Sequence, residues 1–294
     1  MKIKRRNETP LPAPPTATAE RIRRRQGLIF IFVGLLLCCP LSAGAQCETV
    51  NTAFKAGEKL TYDLYFHWKF IWTKAGTAQL TIDSILYESQ PAYRIDLLVV
   101  GDKKTDLFFK MRDTLTSVVS ERLQPVYFRK GAEEGGRYTV DEVSFFTKNG
   151  LHYVKQQRTY RGGEVTQTEQ NDSRCIYDML SIMAWARSYD LKSYRKGQRI
   201  NFPIATGRRK EEQTLIYRGK ENFTSEEDVT YRCLVLSLVK NKDGKETDVI
   251  TFYITDDKNH LPVRLDLSLN FGSAKAYLNN VKGNRHPLRS VVKK

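Results

Sequence analysis

Cysteine and histidine are scarce in this chain, and neither is arranged for chemistry. Five cysteines and four histidines among 294 residues form no CxxC, HxH or HExxH, so the spacings that hold zinc or iron are missing. His67, His152, His260 and His286 stand singly, and neither a metal nor a cofactor is expected. A nucleophile elbow of the G-x-S-x-G type is missing, and Ser181 has no histidine near it in sequence, which leaves acyl transfer without a local signature. Gly135-Gly136 and Gly162-Gly163 are not followed by a helix with Lys-Ser/Thr, so no phosphate loop is expected. The paired acids Glu133-Glu134, Glu211-Glu212, Glu226-Glu227 and Asp256-Asp257 adjoin turn residues and read as solvated loop charges. Glycoside hydrolysis needs two carboxyls facing across a cleft. No catalytic residues are expected, and the chain reads as a non-enzyme.

Long apolar runs are also lacking. The run from Leu28 to Cys39, preceded by Arg21, Arg23, Arg24 and Arg25 and followed by Ala43-Gly44-Ala45, has the layout of a secretory signal peptide. It is shorter than the roughly 20 residues a membrane span requires. Residues 1–45 are therefore expected to be a leader, removed on export, leaving a chain that does not span a membrane and resides in the periplasm or outside the cell. The leader carries eight Lys/Arg and two Asp/Glu, a net +6, so +9 of the formal +15 remains. That surplus is spread along the strands, with clusters at Gly207-Arg208-Arg209-Lys210 and in the tail from Arg285; no nucleic-acid partner is expected. Of the remaining cysteines, Cys47, Cys175 and Cys233, an oxidising compartment permits a Cys175–Cys233 bridge. The alternative is separately buried thiols that act as small hydrophobes.

What is present in quantity is period-two patterning. Leu60, Tyr62, Leu64, Phe66, Trp68 and Phe70 alternate with polar residues, the signature of a strand with one buried face. Lys74-Ala75-Gly76 reads as a turn into a second strand at Ala78, Leu80 and Ile82. Further short strands are expected over 93–100, at Leu107 to Met111, over 126–128, 138–146, 151–160, 199–204, 213–217, 231–239, 249–255, 263–271 and 274–281. Asn149-Gly150 and Asp243-Gly244 supply hairpin turns. Short strands joined by turns argue for antiparallel pairing in one β-rich domain over 46–283, with a disordered basic tail over 284–294.

One stretch reads as helical. From Ser173 to Tyr189, Ile176, Met179, Leu180 and Met183 share a face at three-and-four spacing, with Asn171, Asp172 and Ser173 offering cap oxygens. Ile182, Trp185 and Tyr189 make the opposite side apolar as well, as expected of a helix enclosed by a curved sheet. Asp178 and Arg187 read as fold-supporting polar groups, Asp178 bonding a strand backbone and Arg187 a carboxylate. The expected architecture is mainly β, a curved antiparallel sheet or open β-barrel-like domain with one central helix over about 173–189.

The aromatic surplus supplies the site hypothesis. Tyr62, Phe66, Trp68 and Trp72 in the first strand region, with Met183 and Trp185 on the helix, are the candidate ligand-binding residues for an apolar small molecule or lipid held between sheet and helix.

Several stretches together resemble a known family: Phe54-Lys55-Ala56-Gly57-Glu58-Lys59-Leu60-Thr61-Tyr62, Ala75-Gly76, Gln124-Pro125-Val126-Tyr127-Phe128, Asp178-Met179-Leu180-Ser181 with Arg187, and Thr255-Asp256 to Pro262-Val263. In this order and spacing they resemble the domain of unknown function 3108 family of secreted or periplasmic Gram-negative proteins. The resemblance implies an envelope location and no established activity. The expected architecture is also similar to the open barrels of periplasmic lipoprotein carriers, a likeness of fold alone. The expected role is non-catalytic handling of an apolar or envelope ligand. The alternative is a structural or interaction module that docks an envelope protein partner.

Overall fold

The computed structural model describes residues 47–68, 71–103, 106, 110–189, 194–242, 245–269 and 272–292. The leader, the strand expected at Leu107 to Phe109, the Asp243-Gly244 turn, Phe70 and Phe271 lie outside the described residues, as does the Trp68 side chain.

Strands run as β1 (Glu58–Trp68), β2 (Ile71–Tyr87), β3 (Gln90–Gly101), β4 (Met111–Ser120), β5 (Pro125–Glu134), β6 (Arg137–Lys148), β7 (Leu151–Tyr160) and β8 (Val165–Asp172). The helix α1 (Met179–Arg187) follows, then β9 (Arg199–Ala205), β10 (Lys210–Thr224), β11 (Thr230–Lys242), β12 (Lys245–Thr255), β13 (Pro262–Leu269) and β14 (Gly272–Lys282). All fourteen strands form one sheet in the order β8-β7-β6-β5-β4-β3-β2-β1-β14-β13-β12-β11-β10-β9. Every ladder is antiparallel, and the pairing of β1 with β14 joins the two meanders at the centre. The result is a mainly β, nearly closed barrel-like sheet.

Between β8 and β9 the barrel closes with side chains instead of a ladder. Gln170 Oε1 accepts from the Lys210 amide at 2.6 Å, Lys210 Nζ meets Asp172 at 2.6 Å, and Gln156 Oε1 accepts from the Gly207 amide at 3.0 Å. Just before α1, Tyr177 forms a lone parallel bridge with Ile204, donating to the Pro203 carbonyl and accepting from the Ala205 amide. Gly207, at φ 87°, has no room for a Cβ beside Asp141, so this turn can pack on the sheet only as glycine.

Alternation held for β1, but the turn expected at Lys74 to Gly76 is not there. β2 runs straight through it for 17 residues. Gly76 is in place for another reason: a Cβ would collide with the Val100 carbonyl of β3, the close approach that a bare Cα permits. Asn149 and Gly150 both have positive φ, as the expected hairpin turn requires.

The helix is half as long as its periodicity suggested and starts later. Asp178 is the N-cap, accepting from the Leu180 and Ser181 amides, while Ser181 Oγ accepts from the Asp178 amide. This reciprocal capping box replaces the cap oxygens expected at Asn171, Asp172 and Ser173. Ile176 is buried ahead of the helix and Met179 is exposed, because the chain over Cys175 to Tyr177 is used for the β9 bridge. The Asp178 carboxylate also accepts from Ser117 Oγ of β4 at 2.9 Å; it serves its own helix and a strand side chain, not the strand backbone that was expected. Leu180 and Ala184 pack into the main core with Leu60, Ile82, Ile95, Phe128 and Val143.

Arg187 meets a carboxylate, as expected. Its guanidinium forks onto both oxygens of Glu58, at 2.6 and 3.0 Å, and donates twice more to the Asn259 carbonyl. Arg187 is 2% exposed and Glu58 not at all. The basic tail, expected to be disordered, is held through residue 292. Asp257 accepts from the Arg289 and Ser290 amides, Asn259 bonds both ways with His286, and the Arg232 amide of β11 donates to the Ser290 carbonyl. The acidic turn at 256–259, which lacks a calcium pattern, thus works as a clamp for the tail.

The cysteine expectations are corrected together. Cys47 and Cys175 form the disulfide, across 128 residues, and Cys233 is a free buried thiol on β11. Burial pushes the Cys233 thiol up to about 12, which makes it an inert hydrophobe. A loop of that length constrains the unfolded chain by about 5 kcal/mol in the chain-entropy account.

Two outcomes are expected. Peptide mapping without reduction will recover Cys47 joined to Cys175, with Cys233 alkylated only after denaturation. Arg187→Met will lose about 3–5 kcal/mol in urea unfolding because Glu58 is left buried and unpaired, whereas Glu58→Leu with Arg187→Met will recover most of the loss.

Candidate functional site

The two ends of the barrel differ. At the end where α1 enters, the N-terminal segment, the disulfide, the helix and the tail close the interior. The C-terminal ends of β1, β3, β5, β7, β11 and β13 lie toward the opposite end, whereas the turn leaving β9 packs against Asp141 and Gln156. Toward it the inward-facing aliphatics lose their cover: Leu64, Leu97, Val99 and Leu265 are only partly buried and rest on the core beneath them.

The wall at this end is chemically divided. Directly opposed residues of neighbouring strands share a face, so one inner row can be followed across the sheet as Leu60, Leu80, Leu97, Leu115, Lys130, Asp141 and Arg158. It is aliphatic from β1 to β4 and charged from β5 to β7. The row nearer the open end runs Tyr62, Ala78, Val99, Asp113 and Ala132. Asp113 therefore stands on the inner wall between Val99 and Ala132, at the border of the two regions.

Charges on the polar side are unequally satisfied. Arg158 holds Asp141 with two bonds of 2.6 Å. Lys130 Nζ lies 3.3 Å from Glu134 and 3.9 Å from Asp113 Oδ2. Asp113 Oδ1 is buried and has no hydrogen-bond partner. Burial raises the Asp113 carboxyl to about 6, Lys130 opposing the shift and Glu134 adding to it. A buried acceptor without a donor costs free energy and calls for an explanation.

The residues nominated from sequence are not gathered into one site. Tyr62 is buried in the main core, its hydroxyl donating to the Pro262 carbonyl at 3.0 Å, and Met183 is partly buried against the same core. Phe66 lies on β1 opposite Ala274. Trp72 is 46% exposed and stacks on His67 at 4.7 Å with Lys275 over its ring. Trp185 belongs to a separate cluster with Tyr177 and Phe202 beside the disulfide. Sequence reading did not nominate Asp113 or Lys130 and took Glu134 for a solvated loop charge, whereas it ends strand β5. Their signal was parity: Asp113 alternates in phase with Leu115, Ser117 and Val119, which puts an acid on the buried face.

No three His, Cys, Asp or Glu side chains come together as a metal site among the described residues. His152 lies 3.4 Å from Cys47 Sγ, and His260 Nδ1 lies 2.6 Å from the Arg187 carbonyl oxygen. A shallow recess beside the disulfide, lined by Gln124, Phe145, His152 and Tyr153 among others, has room for about one water molecule.

A family model described as protein of unknown function (DUF3108) matches residues 61–279. None of the curated proteins matches the chain. Among solved structures, a beta-barrel-like protein of the domain of unknown function DUF1849 from Brucella abortus is similar at a TM-score of 0.53 and 9% identity, covering 78% of this chain and 98% of that one. A protein of Bacteroides fragilis with a YmcC-like fold, put forward as exported, reaches a TM-score of 0.34 at 8% identity, covering 80% of this chain and 99% of that one. The first likeness bears on the fold alone; the second is below the level at which architecture can be compared.

Asp113 generates a pH dependence. Its folded value lies above the ordinary 3.8, so its contribution is favourable below about pH 4 and is lost as pH rises through about 6. After allowance for its partial exposure to solvent, ionisation at neutral pH costs about 1 kcal/mol. Asp113→Asn is expected to be more stable than the parent by that amount in urea at pH 7.5, and to lack the decline between pH 4 and 6.

Proposed function

The chain belongs to the DUF3108 family, proteins of unknown function, and from that premise we propose that it is an exported, non-catalytic envelope protein that binds an apolar or amphipathic molecule in the half-open end of its barrel. The observation that carries this reading is the inner wall at Leu64, Leu97, Val99 and Leu265, aliphatic and partly exposed above a core that α1 fills. Apolar side chains facing inward without cover define a concave apolar surface, the kind that takes an acyl or alkyl chain. Export is supported by the basic, apolar and small-residue pattern of residues 21–45 and by a disulfide that needs an oxidising compartment.

A non-catalytic role draws support from three polar groups that hold the fold. Asp178 caps α1, Arg187 holds Glu58, and Asp257 binds the tail; none of these is left to activate a substrate. Docking of an envelope protein partner is the second reading, and it draws on β8, exposed along most of its length, Val165 included.

The test is native mass spectrometry, with solvent extraction, of the chain purified from a periplasm. One apolar molecule per chain is expected. Leu97→Gln and Val99→Gln, on the inner wall, will lower its occupancy several-fold, while Leu98→Gln, 45% exposed on the outer face, will leave it unchanged. Bare protein that also takes up no alkyl probe would remove the binding reading and leave partner docking.

A further inference from the structure

We propose that Asp113 is the polar anchor of this half-open end and that the preferred ligand is an amphipath carrying a primary ammonium head on an alkyl or acyl chain. The inference rests on the binding reading above and names its substrate class.

The geometry defines both parts of the ligand. Across β3 and β4, Val99 and Asp113 are direct neighbours on the inner wall, and Leu97 and Leu115 lie one row deeper. A chain laid against Leu64, Leu97 and Val99 therefore ends at a carboxylate. That carboxylate has one oxygen, Oδ1, buried and without a donor. The nearest cation is already shared: Lys130 Nζ is closer to Glu134, at 3.3 Å, than to Asp113, at 3.9 Å. Arg158 is committed to Asp141 by two bonds. Glu134 also has Arg137 opposite it in the β5–β6 ladder, so Asp113 is the acid of this corner that lacks a close cation of its own.

Such a corner selects by sign and by hydrogen bonding. A carboxylate or phosphate head placed here would meet Asp113 and Glu134, both acceptors when ionised, and would be repelled. A hydroxyl head could satisfy Oδ1 but would not offset the charge. A primary ammonium supplies three donors and the missing positive charge together, making the short charge-assisted bonds that are stronger than neutral ones. A quaternary ammonium has the charge and no donor, so it leaves Oδ1 unsatisfied.

These distinctions set the experiment. Displacement of a neutral pyrene-alkyl probe from the full chain is measured with hexadecylamine, hexadecanol, palmitate and hexadecyltrimethylammonium. Hexadecylamine is expected to bind about 10-fold more tightly than palmitate or the quaternary compound. Asp113→Asn is expected to remove that advantage and to leave hexadecanol unchanged, with thermal melting confirming that the variant is folded. Glu134→Gln will weaken the amine about two- to threefold, as befits a more exposed second acid. An ethanolamine lysophospholipid that follows the amine while its choline counterpart does not would put the ammonium on a lipid head group; a preference confined to the free amine would put it directly on the chain. Equal binding of amine and palmitate, or no effect of Asp113→Asn, would overturn the inference while leaving the binding reading intact. If no amphipath displaces the probe, or the probe itself does not bind, both fall.

Discussion

The pairing of Arg187 with Glu58 is the contact on which the closed end of the barrel depends. Glu58 opens β1, Arg187 ends α1, and the same guanidinium donates to the Asn259 carbonyl in the turn between β12 and β13. Three elements far apart in sequence are thereby fixed at one buried point, with Phe54 of the N-terminal segment beneath the guanidinium at 5.4 Å. Net stability is not what such a pair adds, since desolvation takes back much of the attraction. Uniqueness of position is the better account: a buried guanidinium is satisfied only where a carboxylate and a carbonyl both await it.

From that point the restraints spread outward. Asn259, held by Arg187 through its carbonyl, uses its side chain to bond His286, and Asp257 next to it takes the Arg289 and Ser290 amides. The tail then reaches β11 through Arg232 and Tyr231. On the other side Arg285 donates to the Asn51 carbonyl, and the Cys47–Cys175 bridge ties the same segment to the chain just before α1. Both ends of the described chain therefore seal one end of the barrel. Among the described residues toward the opposite end, Leu64, Leu97, Val99 and Leu265 are only partly buried.

Much of this architecture was legible in the sequence, and the exceptions have physical reasons. Alternation located most of the strands because each has one buried face, and Arg187 could be assigned a carboxylate because a basic residue on an enclosed helix needs one. The helix was placed too early because Ile176 is apolar in phase with it, yet Ile176 is buried by the β9 bridge; periodicity reports burial, not hydrogen bonding. Gly76 was read as a turn when its true reason is the Val100 carbonyl across the ladder, a long-range contact that local composition does not record. The disulfide partner was missed for the same reason: Cys47 and Cys175 meet only once β1 to β8 are folded. The tail was read as disordered from its charge, whereas its backbone amides, not its basic side chains, meet Asp257.

The candidate site was hidden for a different reason. Aromatic richness drew notice to Tyr62 and Trp185, which the core absorbs, and to Trp72, which stands outside. What marks the open end is a conflict between pattern and chemistry: Asp113, Lys130 and Asp141 occupy positions whose phase assigns them to the inner face. Asp141 resolves the conflict with Arg158 and the fold is complete there. Asp113 does not resolve it. A folding requirement alone would favour an aliphatic residue between Val99 and Ala132, because burying an unmatched carboxylate works against stability. A group that opposes folding, faces the interior and borders a partly uncovered aliphatic wall is the kind of local exception that marks functional sites, and the proposed binding role rests on it.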